Sequence, residues 1–126
     1  MSWQAYVDSN LLGTGKIAKA AIFGLDGSLW ATSSNLSVQA PEISALSKGF
    51  TDPSGLRASG IYIAGTKYFT LRADDKAIYG KQGQNGLCAA KTKQAIIVGI
   101  YESPVQAGDA NKVVEGLADY LIGVNY

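Results

Sequence analysis

The seven residues Ala95-Ile96-Ile97-Val98-Gly99-Ile100-Tyr101 form the longest apolar run in the chain. That length suits a strand, and a strand with no polar alternation is buried, so the run predicts a buried central strand. It falls far short of the roughly 20 residues needed to cross a bilayer as a helix. Strand-like segments precede it at short intervals: Ile61-Tyr62-Ile63, Tyr68-Phe69-Thr70-Leu71, Ala77-Ile78-Tyr79-Gly80, and Leu87 to Ala90. Gly65 separates the first two, and a turn is expected around Asn85-Gly86. Connections this short favour antiparallel neighbours. An earlier hairpin joins Ala20-Ala21-Ile22-Phe23 to Leu29-Trp30-Ala31-Thr32 through Asp26-Gly27, where glycine tolerates a positive φ.

Helical patterns frame these strands. Ser2 can cap a first helix, on which Trp3, Tyr6, Val7, Asn10 and Leu11 share one side and which Gly13 and Gly15 end. Pro41 suits a first helical position, and Ile43, Leu46 and Phe50 follow at spacings of three and four. Asp52-Pro53 restarts the chain as a turn or short helix. A last helix opens near Gly108-Asp109, with Val113, Val114, Leu117, Leu121 and Val124 within about 100° of arc. Seven strands and two terminal helices make one α+β domain over residues 1–126.

Composition narrows the chemistry. The single cysteine, Cys88, cannot form an internal disulfide, which fits a reducing compartment. It reads as a small buried hydrophobe. There is no histidine, which removes every Ser-His or Cys-His nucleophile pair and argues against a zinc site. No basic segment followed by an apolar stretch opens the chain, so no signal peptide is visible. Gly13-Thr14-Gly15-Lys16 fails as a phosphate loop, because Ile17 follows the lysine and a helix precedes it. Asp74-Asp75 is good turn chemistry, and neighbours on a strand would point to opposite faces. No catalytic set survives, and neither a cofactor nor a metal is expected.

Two features remain. Five of the twelve aromatics lie where a core would not demand them: Trp3, Tyr6, Trp30, Tyr120 and Tyr126. Either Trp3 and Tyr6 simply staple the N-terminal helix onto the core, or the five form an exposed groove. Parallel flat rings in such a groove would suit a proline-rich chain, whose extended helix loses little entropy on docking. Charge is also uneven within a net +1: Thr66 to Lys93 carry six basic residues against two acids. This stripe is either a solvated sheet face or a docking surface for an acidic partner or anionic headgroups, and not a nucleic-acid footprint. A PAS-like small-molecule sensor is an alternative for a small sheet flanked by helices, though no lone buried ion or histidine ligand supports it.

The stretches M-S-W-Q-A-Y-V-D at the start, L-R-A-D-D-K-A-I-Y-G-K in the middle and T-K-Q-A-I-I-V-G-I-Y to the terminal D-Y-L-I-G-V-N-Y resemble the profilin family. The likeness runs the whole chain and suits the shorter members from plants and microbial eukaryotes. It implies a central antiparallel sheet with the N- and C-terminal helices together on one face. It also implies a non-enzymatic, cytoplasmic regulator of actin polymerisation. Such a protein binds monomeric actin one to one, proline-rich proteins such as formins, and phosphatidylinositol 4,5-bisphosphate at the plasma membrane. By the same resemblance Trp3, Tyr6, Trp30, Tyr120 and Tyr126 form the polyproline site, with Tyr120 replacing a histidine of vertebrate members. Arg72, Tyr79, Lys81, Lys91, Asn111, Lys112 and Glu115 face actin, and Lys67, Arg72, Lys81 and Lys91 meet the lipid headgroup. Gln106 and the small trio Cys88-Ala89-Ala90 depart from the usual family pattern.

Overall fold

In the computed structural model, which describes residues 2–126, seven strands form a single sheet. They are β1 (Lys19–Gly24), β2 (Leu29–Thr32), β3 (Ile61–Ile63), β4 (Thr66–Ala73), β5 (Ala77–Gln82), β6 (Asn85–Lys91) and β7 (Ala95–Tyr101). Their order is β2-β1-β7-β6-β5-β4-β3, and every pairing is antiparallel. All seven residues of β7 are buried, as the unbroken apolar run predicts.

Helices pack on both faces of the sheet. On one lie the N-terminal helix, which begins as α1 (Trp3–Ala5), and the long C-terminal helix α4 (Ala107–Gly123). Val7, Leu11, Val114, Leu117 and Leu121 pack there with Ala20, Ile22, Cys88, Ala90 and Ile97. Small residues align across three strands to admit α4: Ala20 pairs with Gly99, and Gly99 with Cys88. A Cβ on Gly99 would come within 2.6 Å of Val114. Against the opposite face pack α2 (Ala40–Gly49) and α3 (Ser54–Ser59), through Ile43, Leu46 and Leu56 on Phe23, Ile61, Ile63, Ile78 and Val98.

Some expectations change in detail. After α1 the chain widens into a π-helical turn over Tyr6–Leu11 and then a 3₁₀ turn over Leu12–Thr14. The wider turn rotates Asn10 out of the expected stripe, and it is exposed while Tyr6, Val7 and Leu11 stay buried. The β5–β6 turn lies at Gly83-Gln84, where Gly83 has φ +61°, and Asn85-Gly86 belongs to β6. Gly86 is needed within the strand, since a Cβ there would collide with the ring of Tyr101. Strand β4 is longer than expected, with a register shift between Thr70 and Arg72. Helix α4 starts at Ala107 and buries Ala110, Val114, Leu117, Ala118 and Leu121. Val124 lies at its C-cap and is 44% exposed. The stripe turns toward Ala110 and Ala118 because small side chains let the helix sit close on the sheet.

Candidate functional site: an aromatic shelf and a basic sheet face

The two ends of the chain are tied to the same corner. Ser2 caps α1 by accepting from the Ala5 N–H at 3.1 Å. The Gln4 side-chain amide donates to the Thr32 carbonyl at 3.0 Å and holds the helix on β2. At the other end the Thr92 hydroxyl and the Gln94 N–H both donate to the main-chain oxygen of Tyr126, at 2.6 Å each. These bonds seat Tyr126 on the β6–β7 turn, next to the first helix.

Trp3 is the hub of the resulting cluster. Its ring centre lies 4.7 Å from Trp30, 5.2 Å from Tyr126 and 5.6 Å from Tyr6. Tyr6 reaches Tyr120 at 6.3 Å. Gly24 makes room for the Trp30 indole, since a Cβ there would lie 3.0 Å from its Nε1. Trp3 and Trp30 are half-buried, while Tyr120 and Tyr126 are 55% and 43% exposed. Tyr6 is 8% exposed and belongs to the core as well, contrary to its expected place outside it. Burial first, and then the neighbouring Tyr120 hydroxyl, raise the pKa of its phenol above the usual tyrosine range. The rings are not parallel as expected: they tilt by 45° to 82°, the edge-to-face geometries that ring quadrupoles favour.

The second surface lies on the same face of the sheet, where the terminal helices leave β4 and β5 uncovered. Arg72 pairs across strands with Tyr79, and its guanidinium carbon sits 5.8 Å from that ring centre. Its Nε and Nη2 both donate to Asp74 Oδ2 at 2.9 Å. The other Asp74 oxygen accepts from the N–H groups of Lys76 and Ala77, also at 2.9 Å. Those backbone bonds, with Arg72 beside them, hold the Asp74 carboxyl below its ordinary range. The Tyr79 hydroxyl donates to Glu115 Oε1 at 2.5 Å, linking β5 to α4. Burial and this bond push the Tyr79 phenol well up. One α-helical turn before Glu115, the buried Oδ1 of Asn111 has no hydrogen-bond partner among the described residues, and Lys112 is exposed.

The remaining lysines divide. Lys81 pairs across strands with Phe69, and the Lys67 ammonium sits 5.6 Å from the centre of that exposed ring. Lys91 stands apart, lining a cleft with Lys76, Glu115, Asp119 and Ile122. Sequence reasoning missed Asp74 as the anchor of Arg72, having read it only as a turn residue. It also missed the apolar members of this face, Phe69, Leu71 and Tyr62, which are 67%, 60% and 47% exposed. The signal was present in β4, where Lys67 and Phe69 alternate with buried Tyr68. Cys88 is fully buried, and desolvation pushes its thiol far up, consistent with a packing role. Among the described residues no helix is long and apolar enough to cross a membrane.

The sequence model of the profilin family matches residues 1–126. The chain belongs to the profilin family. The profilin of Saccharomyces cerevisiae is 52% identical, with all of both chains covered. The crystal structure of Acanthamoeba castellanii profilin II superposes with a TM-score of 0.97 at 49% identity, covering 99% of this chain and all of that one. Mouse profilin IIa, solved in complex with a double repeat from the FH1 domain of mDia1, covers both chains fully with a TM-score of 0.81. At 23% identity that likeness concerns the fold. Membership of the profilin family displaces the PAS-like alternative and agrees with the expected sheet flanked by paired terminal helices.

Proposed function

We propose that this profilin is an actin-monomer-binding protein that also holds proline-rich segments, and that it works by binding alone, without covalent chemistry. The observation that carries the reading is the shelf of five rings assembled from both chain ends and β2, with Trp3 in contact distance of Trp30 and Tyr126. A polyproline II chain is extended and presents apolar ring faces and unpaired carbonyls. Indole and phenol groups offer matching apolar faces and donors. Trp3, Tyr6, Trp30, Tyr120 and Tyr126 would therefore hold a formin-type segment. The FH1 repeat held by the mouse relative is in keeping with such a ligand.

Arg72, Tyr79, Lys81, Lys91, Asn111, Lys112 and Glu115 would face actin, whose acidity the basic stripe complements. A covered monomer could not nucleate, yet could still join a free barbed end. Stronger contact with the open nucleotide cleft than with the closed one would speed exchange. Because the two surfaces are separate, a proline-rich factor could hold the loaded complex and raise its local concentration at the filament end. Lys67, Arg72, Lys81 and Lys91 would also meet phosphatidylinositol 4,5-bisphosphate, giving peripheral attachment of a cytoplasmic, cytoskeletal protein to the plasma membrane.

Titration with poly-L-proline tests the shelf. Tryptophan fluorescence should change saturably, and Trp3→Ala should abolish the change while leaving the thermal unfolding cooperative. An unchanged spectrum with every proline-rich peptide would overturn this reading.

A further inference from the structure

Strand β2 is irregular at the one residue it gives to the shelf. Ile22 pairs with Ala31 and Phe23 with Leu29, which leaves Trp30 as an extra residue without a partner on β1. Regular pairing would set Trp30 opposite Phe23, whose side chain packs with α2 and α3 on the other face of the sheet. The bulge places Trp30 beside Ala31 instead, and its ring packs with the cluster under the terminal helices. One inserted residue thus carries the indole to the face that holds Trp3 and Tyr126.

On that face the indole lies against Gly24. A Cβ there would come within 3.0 Å of Trp30 Nε1, 3.1 Å of its Cζ2 and 2.9 Å of Asp26 Oδ1. Gly24 lies outside the left-handed region, so alanine would be strained at this position by contact and not by backbone conformation. The backbone itself has little room to retreat. The Gly24 N–H donates to the Ser28 carbonyl at 2.8 Å, its carbonyl accepts from the Gly27 N–H at 3.0 Å, and it pairs with Ala95 of β7. Asp26 is engaged too, its Oδ1 accepting from the Ser28 N–H at 3.0 Å. The side chain with freedom to give way is the indole, whose next neighbour is the hub ring of Trp3 at 4.7 Å and a 45° tilt.

We propose that Gly24 is a positioning residue for the proline-rich ligand: its bare Cα sets the spacing and tilt of the Trp30 indole against Trp3. The inference rests on the reading of the shelf as a polyproline site. A polyproline II chain is stiff, with a fixed rise of about 3.1 Å per residue, so it follows a displaced wall poorly. Its affinity depends on rings that stand in place before it arrives. Gly24 acts through Trp30, and the bulge and the glycine together turn an edge-strand residue into part of a binding surface.

The test compares the whole chain with its Gly24→Ala variant. The chain has two tryptophans, so a nitrogen-15 spectrum shows two indole N–H resonances. Before any ligand is added, Gly24→Ala should move the Trp30 resonance and leave the amides of β4 and β5 in place. Affinity for a synthetic poly-L-proline peptide, read by calorimetry, should fall about tenfold, the coupling usual for groups in contact. Actin affinity should stay at the wild-type value. A merely structural role would lower the melting temperature and spare the peptide affinity of the folded chain. If Gly24→Ala does not fold, the double variant with Trp30→Leu decides, because leucine ends short of both indole atoms. Its folding ties the glycine to the indole, and its failure to fold overturns the proposal. Undiminished peptide affinity in a folded Gly24→Ala chain also overturns it and leaves the polyproline reading standing. A wild-type chain that binds no poly-L-proline removes both.

Discussion

Gly86 and Tyr101 show how one missing methyl shapes a surface: the glycine lets a buried tyrosine lie across its neighbour strand and reach a cleft beside α4. Gly86→Ala should therefore destabilise the fold by about 1–3 kcal/mol through overpacking, read from the urea midpoint. Tyr79 is the corresponding residue on the basic face. Its hydroxyl bonds to Glu115, and its ring lies beneath Arg72. Tyr79→Phe should cost about 1 kcal/mol of stability, since the carboxylate loses its donor while the ring still packs. A cost near zero in chemical denaturation would mean that water replaces the bond fully.

At the scale of elements, Glu42 is the clearest case. Its carboxylate accepts from the N–H of Gln39 at the start of α2 and from those of Ala64 and Gly65 in the β3–β4 turn, all at 2.8 Å. It thereby pins an edge hairpin to a helix. Partial burial works against its charge, but the three backbone donors outweigh that and lower its pKa below the ordinary 4.5. With the folded value depressed, the contribution to stability is complete above the unfolded value near 4.5 and is lost as pH falls through the folded one. Glu42→Gln should lower stability at neutral pH by roughly 1–2 kcal/mol and flatten the acid side of the stability profile. Urea titrations at pH 7 and pH 3 on both proteins check this, and equal slopes would refute it.

Across the whole molecule, the shelf joins the chain ends at β2 and the β6–β7 turn, whereas the basic face lies on β4 and β5 toward the other edge of the sheet. Separate surfaces predict separable losses. Arg72→Glu should weaken actin binding at least about tenfold, because like charges then meet across the interface. Trp3→Ala should leave actin binding near wild type. Actin affinity should also fall with added salt, while polyproline binding should respond little, its contacts being apolar and neutral. Sedimentation or fluorescence binding series at two ionic strengths would settle both points. Equal effects of the two substitutions on actin would show that the surfaces are coupled.

Much of this architecture was legible in local pattern. The buried strand β7, the Asp26-Gly27 hairpin, the Ser2 cap and both terminal helices follow from periodicity, turn chemistry and capping, which act over a few neighbouring residues. The aromatics at both chain ends were equally visible, but whether they staple or display was open. The turn at Gly83-Gln84 was displaced from the stronger-looking Asn85-Gly86 because a distant ring needed the glycine. Asp74 reads locally as a turn former, yet it also orients Arg72. The sequence alone thus determined the elements and the residue types each face would carry. Only the tertiary structure decided which residues meet, as with Tyr79 and Glu115, 36 positions apart, or Thr92 and Tyr126, 34 apart. Such contacts depend on how the sheet orders its strands and how closely a helix can approach small side chains, which local periodicity does not encode.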